Sequence, residues 1–304
     1  MKRWLVFAAV NIAIMVTISI VMGIIFRVLG IDPSYMSGGT LNYASLMIFC
    51  LVWGMGGAFI SLMLSKKMVK WTMGVQLLDA NASGEYGDLV RTVHRLAKSA
   101  GLPKMPEVGI YPGQELNAFA TGPSKSNSLV AVSEGLLRHM TRDEVEGVLG
   151  HEVAHIANGD MVTMTLIQGV INAFVMFFAR IAAFAIDQFL RGDEEEGQGL
   201  GWIAHMAVVF LFEVLFGMVG MVIVAWFSRQ REFRADVGGA VLAGRPKMEA
   251  ALQKLKAGVD LTSDAHPSMA ALKISGKRSK FAALFSTHPD LELRIQRLRE
   301  MKGF

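Results

Sequence analysis

The sequence predicts an α-helical polytopic membrane protein with four transmembrane helices and an α+β domain built from the segments between and after them. Composition points first to the bilayer: of 304 residues, 52% are apolar and 18% charged, unusual for a soluble globule. Four apolar runs then stand out, each about the twenty residues or more that a helix needs to cross the hydrocarbon core. Between the second and third runs, and again after the fourth, the composition reverts to that of a soluble domain.

The first span, Leu5 to Phe26, follows Lys2 and Arg3. A cleavable signal peptide would have a shorter apolar region and a small-residue cleavage site, and neither feature appears. A polar loop leads to the second span, Tyr43 to Leu64, which ends in Lys66, Lys67 and Lys70. Basic residues before span one and after span two belong on the cytosolic side, so both termini of this pair are expected there. Met161 to about Ile186 is the third span and Ile203 to Phe227 the fourth, joined by the acidic linker Arg191 to Glu196. Arg229, Arg231 and Arg234 return the chain to the cytosol, and Trp202 and Trp226 bracket span four as interfacial anchors. The expected organisation is therefore 1–70 for spans one and two, 71–160 for the first part of the domain, 161–227 for the second pair of spans and 228–304 for the rest of the domain.

Arg180 and Glu213 fall inside spans three and four, where a charge facing lipid is costly. They are expected to face the bundle and each other, or Arg180 snorkels outward; a transport relay is the functional alternative. The net charge of +4 is read as an orientation signal, with no nucleic-acid signature. Cys50 has no partner within the chain, so no intramolecular disulfide is expected.

Within the soluble portion, Asp88 to Ser99 reads as an amphipathic helix with Leu89, Val93 and Leu96 on one face. Glu107 to Tyr111, Asn117 to Thr121 and Ser128 to Val132 have strand character between Pro and Gly turns, which suggests a small sheet. Helices are expected again over Arg229 to Leu242, Pro246 to Lys256 and Pro289 to Met301. Thr262 to Phe285, basic around Ser275 to Lys280, reads as a loop or a lid.

The chemistry centres on His151-Glu152-Val153-Ala154-His155. Four residues apart on a helix, the two imidazoles share a face and can aim at one ion, with Glu152 beside it. That is a zinc-hydrolase arrangement. Neutral imidazole binds Zn2+ at about 2.0 to 2.1 Å, and a catalytic site leaves one position for a water whose pKa falls to roughly 7. Glu152 is then the base that takes the water's proton and passes it to the leaving amine. Thr141-Arg142-Asp143-Glu144 forms a capping box for this helix, and Val145, Val148, Leu149, Val153 and Ile156 recur at helical spacing.

A catalytic zinc requires a third protein ligand. Glu232 is the candidate, because the hairpin of spans three and four returns the chain to the place where the His helix entered it. Asp236, one turn on, can orient a ligand imidazole through its other nitrogen. Position alone leaves open a juxtamembrane helix whose acids only balance its three arginines.

His151-Glu152-x-x-His155 with the distant Glu232-x-x-x-Asp236 resembles the gluzincin pattern. Together with Asn117-Ala118-Phe119-Ala120-Thr121-Gly122, the membrane hairpin and Thr287-His288-Pro289, it resembles the HtpX family of membrane-bound heat-shock metalloproteases, related to the CAAX prenyl proteases, over essentially the whole chain. The resemblance implies a zincin-like cytosolic protease domain and one Zn2+ per chain on His151, His155 and Glu232, with Asp236 as their hydrogen-bond partner. It implies that His288 and Arg294 contact the oxyanion of the tetrahedral intermediate, although Ser286 to Asp290 is also a helix-start sequence. It further implies that Asn117, Ala118, Phe119 and Ala120 form an edge strand to which an extended substrate adds its backbone, the alternative being an ordinary buried strand. His266-Pro267 lacks the following arginine, and His94, His139 and His205 receive no role.

The expected function is a zinc endopeptidase of the bacterial inner membrane, its domain and both termini cytoplasmic. The resemblance implies misfolded or damaged membrane proteins as its substrates, in quality control. An intramembrane protease is disfavoured by Asp143, Glu144, Glu146, Asn158 and Asp160 around the motif. A protease for lipidated C termini should have many more spans. The alternative from another class is a non-hydrolytic metal-binding membrane scaffold or transporter.

Overall fold

The computed structural model describes residues 2–30, 36–37, 40–79, 81–191, 199–265 and 284–301. The acidic stretch 192–196, the basic stretch 275–280, His266-Pro267 and most of the expected loop or lid lie outside the described residues. The chain divides into two compact units, Met1–Ser61 with Thr165–Val224, and Leu62–Met164 with Ala225–Phe304.

The first unit is drawn from four long helices and a two-stranded ribbon. The helices are α1 (Lys2–Leu29), α2 (Tyr43–Thr72), α6 (Asp160–Arg191) and α7 (Trp202–Ala243), and the ribbon pairs β1 (Met36–Ser37) with β2 (Thr40–Leu41). Three of them, α2, α6 and α7, are long and apolar enough to cross a membrane; in α1 the corresponding described run is Met15–Val28. Small residues let α2 approach α6: a Cβ on Gly54 would stand 2.6 Å from the backbone N of Ala173. Arg180 donates to Glu213 at 2.8 Å and lies over the Phe49 ring, so the charges inside these two apolar helices pair instead of snorkelling apart.

The second unit holds a four-stranded sheet in the order β3 (Gln76–Leu77), β4 (Glu107–Tyr111), β6 (Asn127–Ser133), β5 (Ala118–Ser124). β4 and β6 run parallel, while β3 and β5 are antiparallel edges. Both faces of its centre are covered. Val108, Ile110, Val130 and Val132 meet α3 (Gly84–Ser99) and α5 (Arg142–Asn158), while Tyr111, Leu129 and Ala131 pack with Val75, Val69 and Phe119. This double burial explains why the β6 sequence reads as an unbroken apolar run. Leu149, Val153 and Ile156 of α5 are fully enclosed, each burial contributing about 1.5–3 kcal/mol. The short α4 (Glu134–His139) leads from β6 towards α5; α8 (Arg245–Ala265) and α9 (Leu291–Glu300) close the far side around Met248, Leu252, Ile295 and Leu298.

The start of α5 is fixed as its sequence predicts. Thr141 Oγ1 accepts from the Glu144 N–H, and Glu144 Oε2 accepts from the Thr141 N–H, forming the capping box. Its end is Gly159, in the left-handed conformation at φ 74°, immediately before α6. The helix expected over Arg229 to Leu242 is not separate but the C-terminal third of α7. Arginines at a membrane boundary mark orientation without breaking a helix, and neither Pro nor Gly stands between Phe227 and Val237.

The second face of α5 carries Gly147, Gly150 and Ala154, and α7 passes it at Gly238 and Gly239. A Cβ on Gly239 would stand 2.9 Å from the backbone N of His151 and 2.9 Å from Met248 Sδ. Gly239→Ala is accordingly expected to cost about 1–3 kcal/mol through overpacking. The measurement is the thermal midpoint of the detergent-purified chain, and an unchanged midpoint would contradict the close crossing.

Candidate active site

His151 and His155 sit one turn apart on α5, and α7 brings Glu232 and Asp236, also one turn apart, against them. All four are buried, and Glu232 is only 1% exposed. The two Nε2 atoms lie 3.0 Å from each other, with Glu232 oxygens 3.6 Å from His151 Nε2 and 3.4 Å from His155 Nε2. Each imidazole is held from behind: His151 Nδ1 lies 3.0 Å from Asp236 Oδ1, and His155 Nδ1 lies 2.6 Å from Asp160 Oδ2. With Nδ1–H donated to a carboxylate, both Nε2 lone pairs point inward.

That arrangement fits a metal ion. Two lone pairs at 3.0 Å repel unless an electrophile lies between them, and Oε1 of Glu232 is buried without a hydrogen-bond partner among the described residues. His151, His155 and Glu232 each offer one ligand atom, all within 4.8 Å of one another. Burial pulls His155 down, but the hydrogen bond to Asp160 and the adjacent Glu232 carboxylate outweigh it and hold it at about 9. His151 is likewise raised despite its burial, through Asp236 and Glu232. Burial pushes the Glu232 carboxyl up, yet the adjacent His151 and His155 imidazoles and the hydrogen bond from His288 hold it far below the usual carboxylate range. Metal and protons therefore compete for the same lone pairs, and loading releases protons.

Arg294, on α9, is buried and grips Asp236 with two hydrogen bonds, Nε to Oδ2 at 2.8 Å and Nη2 to Oδ1 at 2.6 Å. Burial lowers the pKa of the guanidinium and the Asp236 pairing more than restores it. Its Nη2 is also 3.4 Å from His151 Nδ1, but with Nδ1 protonated toward Asp236 both atoms are donors converging on one carboxylate. Its Nη1 stands 3.5 Å from Glu232 Oε2. His288, largely exposed, donates from Nδ1 to Glu232 Oε2 at 3.0 Å, just ahead of Asp290, which caps α9 by accepting from the Glu292 N–H. Glu152 is half-buried beside the histidines and is not among the atoms that converge on the metal position.

Asn117 precedes β5, and Ala118, Phe119 and Ala120 open it; β5 is an outer strand of the sheet and packs beside α5. Asn117 is tied at its backbone, accepting from the Ser133 N–H at 2.9 Å. His94 lies elsewhere, 3.1 Å from the Pro106 carbonyl. The sequence reading missed Asp160 as a partner of the site. Its signal was Asn158-Gly159-Asp160, where a Gly at the helix end turns the next residue back onto the last turn.

Residues 84–302 match the model of Peptidase family M48. The chain is 54% identical to a protein named Protease HtpX from Shewanella loihica (strain ATCC BAA-1088 / PV-4) over 299 residues, 98% of this chain and 99% of that one. It is equally similar, at the same coverage, to Protease HtpX from Shewanella piezotolerans (strain WP3 / JCM 13877). In overall fold it is similar to the crystal structure of S. mikatae Ste24p, with a TM-score of 0.61 at 17% identity, covering 98% of this chain and 66% of that one. The matched region contains the whole His151, His155 and Glu232 cluster, and the chain belongs to peptidase family M48 as a metallopeptidase, with helices long and apolar enough to cross a membrane.

Proposed function

We propose that this chain is a zinc endopeptidase of the bacterial inner membrane that cleaves misfolded or damaged membrane proteins at the cytosolic face. The observation that carries the zinc reading is the spacing of the buried cluster. A tetrahedron with bonds of about 2.0–2.1 Å sets its ligand atoms roughly 3.3 Å apart. Here the two imidazole nitrogens stand 3.0 Å apart, and Glu232 approaches each with a different oxygen, Oε1 at 3.4 Å from His155 and Oε2 at 3.6 Å from His151, so one atom from each residue can close on a single ion. Two imidazoles and one carboxylate are also the donor set of catalytic zinc.

His151, His155 and Glu232 would hold the zinc, which would supply Lewis-acid polarisation of the scissile carbonyl and a more acidic water. Glu152 takes the proton of the attacking water and delivers it to the leaving amine. His288, fixed through Nδ1 by Glu232, keeps its other nitrogen for the developing oxyanion, and Arg294 adds charge through Nη1 while its remaining donors hold Asp236. The edge of β5 offers backbone groups to an extended substrate from Asn117 to Ala120. Four spans, with α1 as the first, and the basic flanks Lys2, Arg3, Lys66, Lys67, Lys70, Arg229, Arg231 and Arg234 support a cytosolic domain and cytosolic termini.

The test is chelation and reconstitution. Detergent-purified protein is expected to contain one zinc, to cleave an unfolded membrane-protein substrate, to stop when stripped with a chelator and to recover when zinc is restored. Bound zinc without cleavage would favour the metal-binding scaffold; protein that neither binds zinc nor cleaves would end both readings.

A further inference from the structure

We propose that Asp160 is a positioning residue of the metal site, whose carboxylate holds His155 in the one neutral tautomer able to ligate through Nε2. The inference rests on the metallopeptidase reading and adds a residue that the HExxH motif does not include. Asp160 is 3% exposed, and its Oδ2 makes a 2.6 Å contact with His155 Nδ1. A neutral imidazole carries one N–H, and the nitrogen that carries it is set by the partner of the other ring atom. A carboxylate accepts only, so Nδ1 must donate and Nε2 is left with its lone pair facing Glu232 and His151.

The chain reaches this position by a specific turn. The Gly159 N–H returns to the carbonyls of His155 and Ile156, closing the last turn of α5 and folding the first residue of α6 back beside His155. Lys125, from the turn between β5 and β6, donates to the Ala157 carbonyl and its Cε lies close to Gly159, which braces the same turn from outside. The two imidazoles are thus held by carboxylates from two different helices, Asp236 of α7 for His151 and Asp160 of α6 for His155. His155 depends on its carboxylate as His151 depends on Asp236.

An acid in the first turn also favours a helix through its dipole, so the experiment must separate that role from positioning. The full chain is purified in detergent as wild type, Asp160→Asn and Asp160→Ser, and the zinc dissociation constant is measured by competition with a chromophoric chelator. Asn keeps the shape without the charge, and Ser keeps a residue suited to a helix start. Both variants are expected to bind zinc about 10- to 100-fold more weakly. The visible spectrum of the cobalt-substituted protein is expected to change, and excess zinc is expected to restore cleavage, which it would not do for a purely structural defect. Folded variants with zinc affinity within about twofold of wild type overturn the assignment, as does failure of both variants to fold. Wild type that binds no zinc would instead sink the metallopeptidase reading of the site.

Discussion

Glu152→Gln is expected to retain its zinc and lose about 10²- to 10⁴-fold in cleavage rate, the range by which a positioned acid–base group accelerates proton transfer. Gln has the volume of Glu and accepts hydrogen bonds, but it cannot take a proton from water at neutral pH. The ligand cluster consists of His151, His155 and Glu232, so the exchange leaves every converging atom in place. Zinc content and cleavage measured on one preparation check both halves. Cleavage undiminished by the substitution would remove Glu152 from the mechanism, and a parallel loss of zinc would make it part of the metal's support.

Glu232→Ala should act on both measurements together. Its carboxylate lies within 3.6 Å of both Nε2 atoms, accepts from His288 and faces Arg294 and Arg231. Truncation leaves two neutral ligands beside two guanidinium groups and frees His288 from its anchor. Zinc affinity is therefore expected to fall by more than the roughly 10- to 100-fold that follows loss of an outer hydrogen-bond partner, with cleavage lost alongside it. Arg294 retains its two bonds to Asp236, so the fold around the site has an independent clamp. A Glu232→Ala protein that loaded zinc like wild type would show that α7 does not supply the third ligand.

The parts of this architecture written in local pattern were readable in advance. The capping box at Thr141 and Glu144 formed as its spacing predicts, and β4 occupies the expected Glu107–Tyr111. Both features are decided by neighbours in the sequence. Asp160 was not readable in the same way, because its role depends on a left-handed turn that changes its direction relative to α5. The continuity of α7 was obscured by charge: Arg229, Arg231 and Arg234 read in the sequence as a membrane boundary, yet their helix propensity is high and the backbone simply continues. The glycines at 147, 150, 238 and 239 did not name their contacts in the sequence, since a small residue announces a close neighbour without saying which one. Family resemblance, not spacing, brought His288 and Arg294 into view, as they are more than 130 residues from His155 in the chain, with α6, α7 and α8 between.

The crossing of α5 and α7 bears on how still the site is. Side chains in a protein change rotamer on timescales down to picoseconds and nanoseconds, and a contact made through them flickers accordingly. At Gly239 and His151 one backbone faces another with no side chain between, as the 2.9 Å approach of a Cβ placed there shows. A contact without rotamers has nothing to hop. The backbones that carry the histidine pair and the carboxylate opposite are thus spaced by a contact that no rotamer change can lengthen.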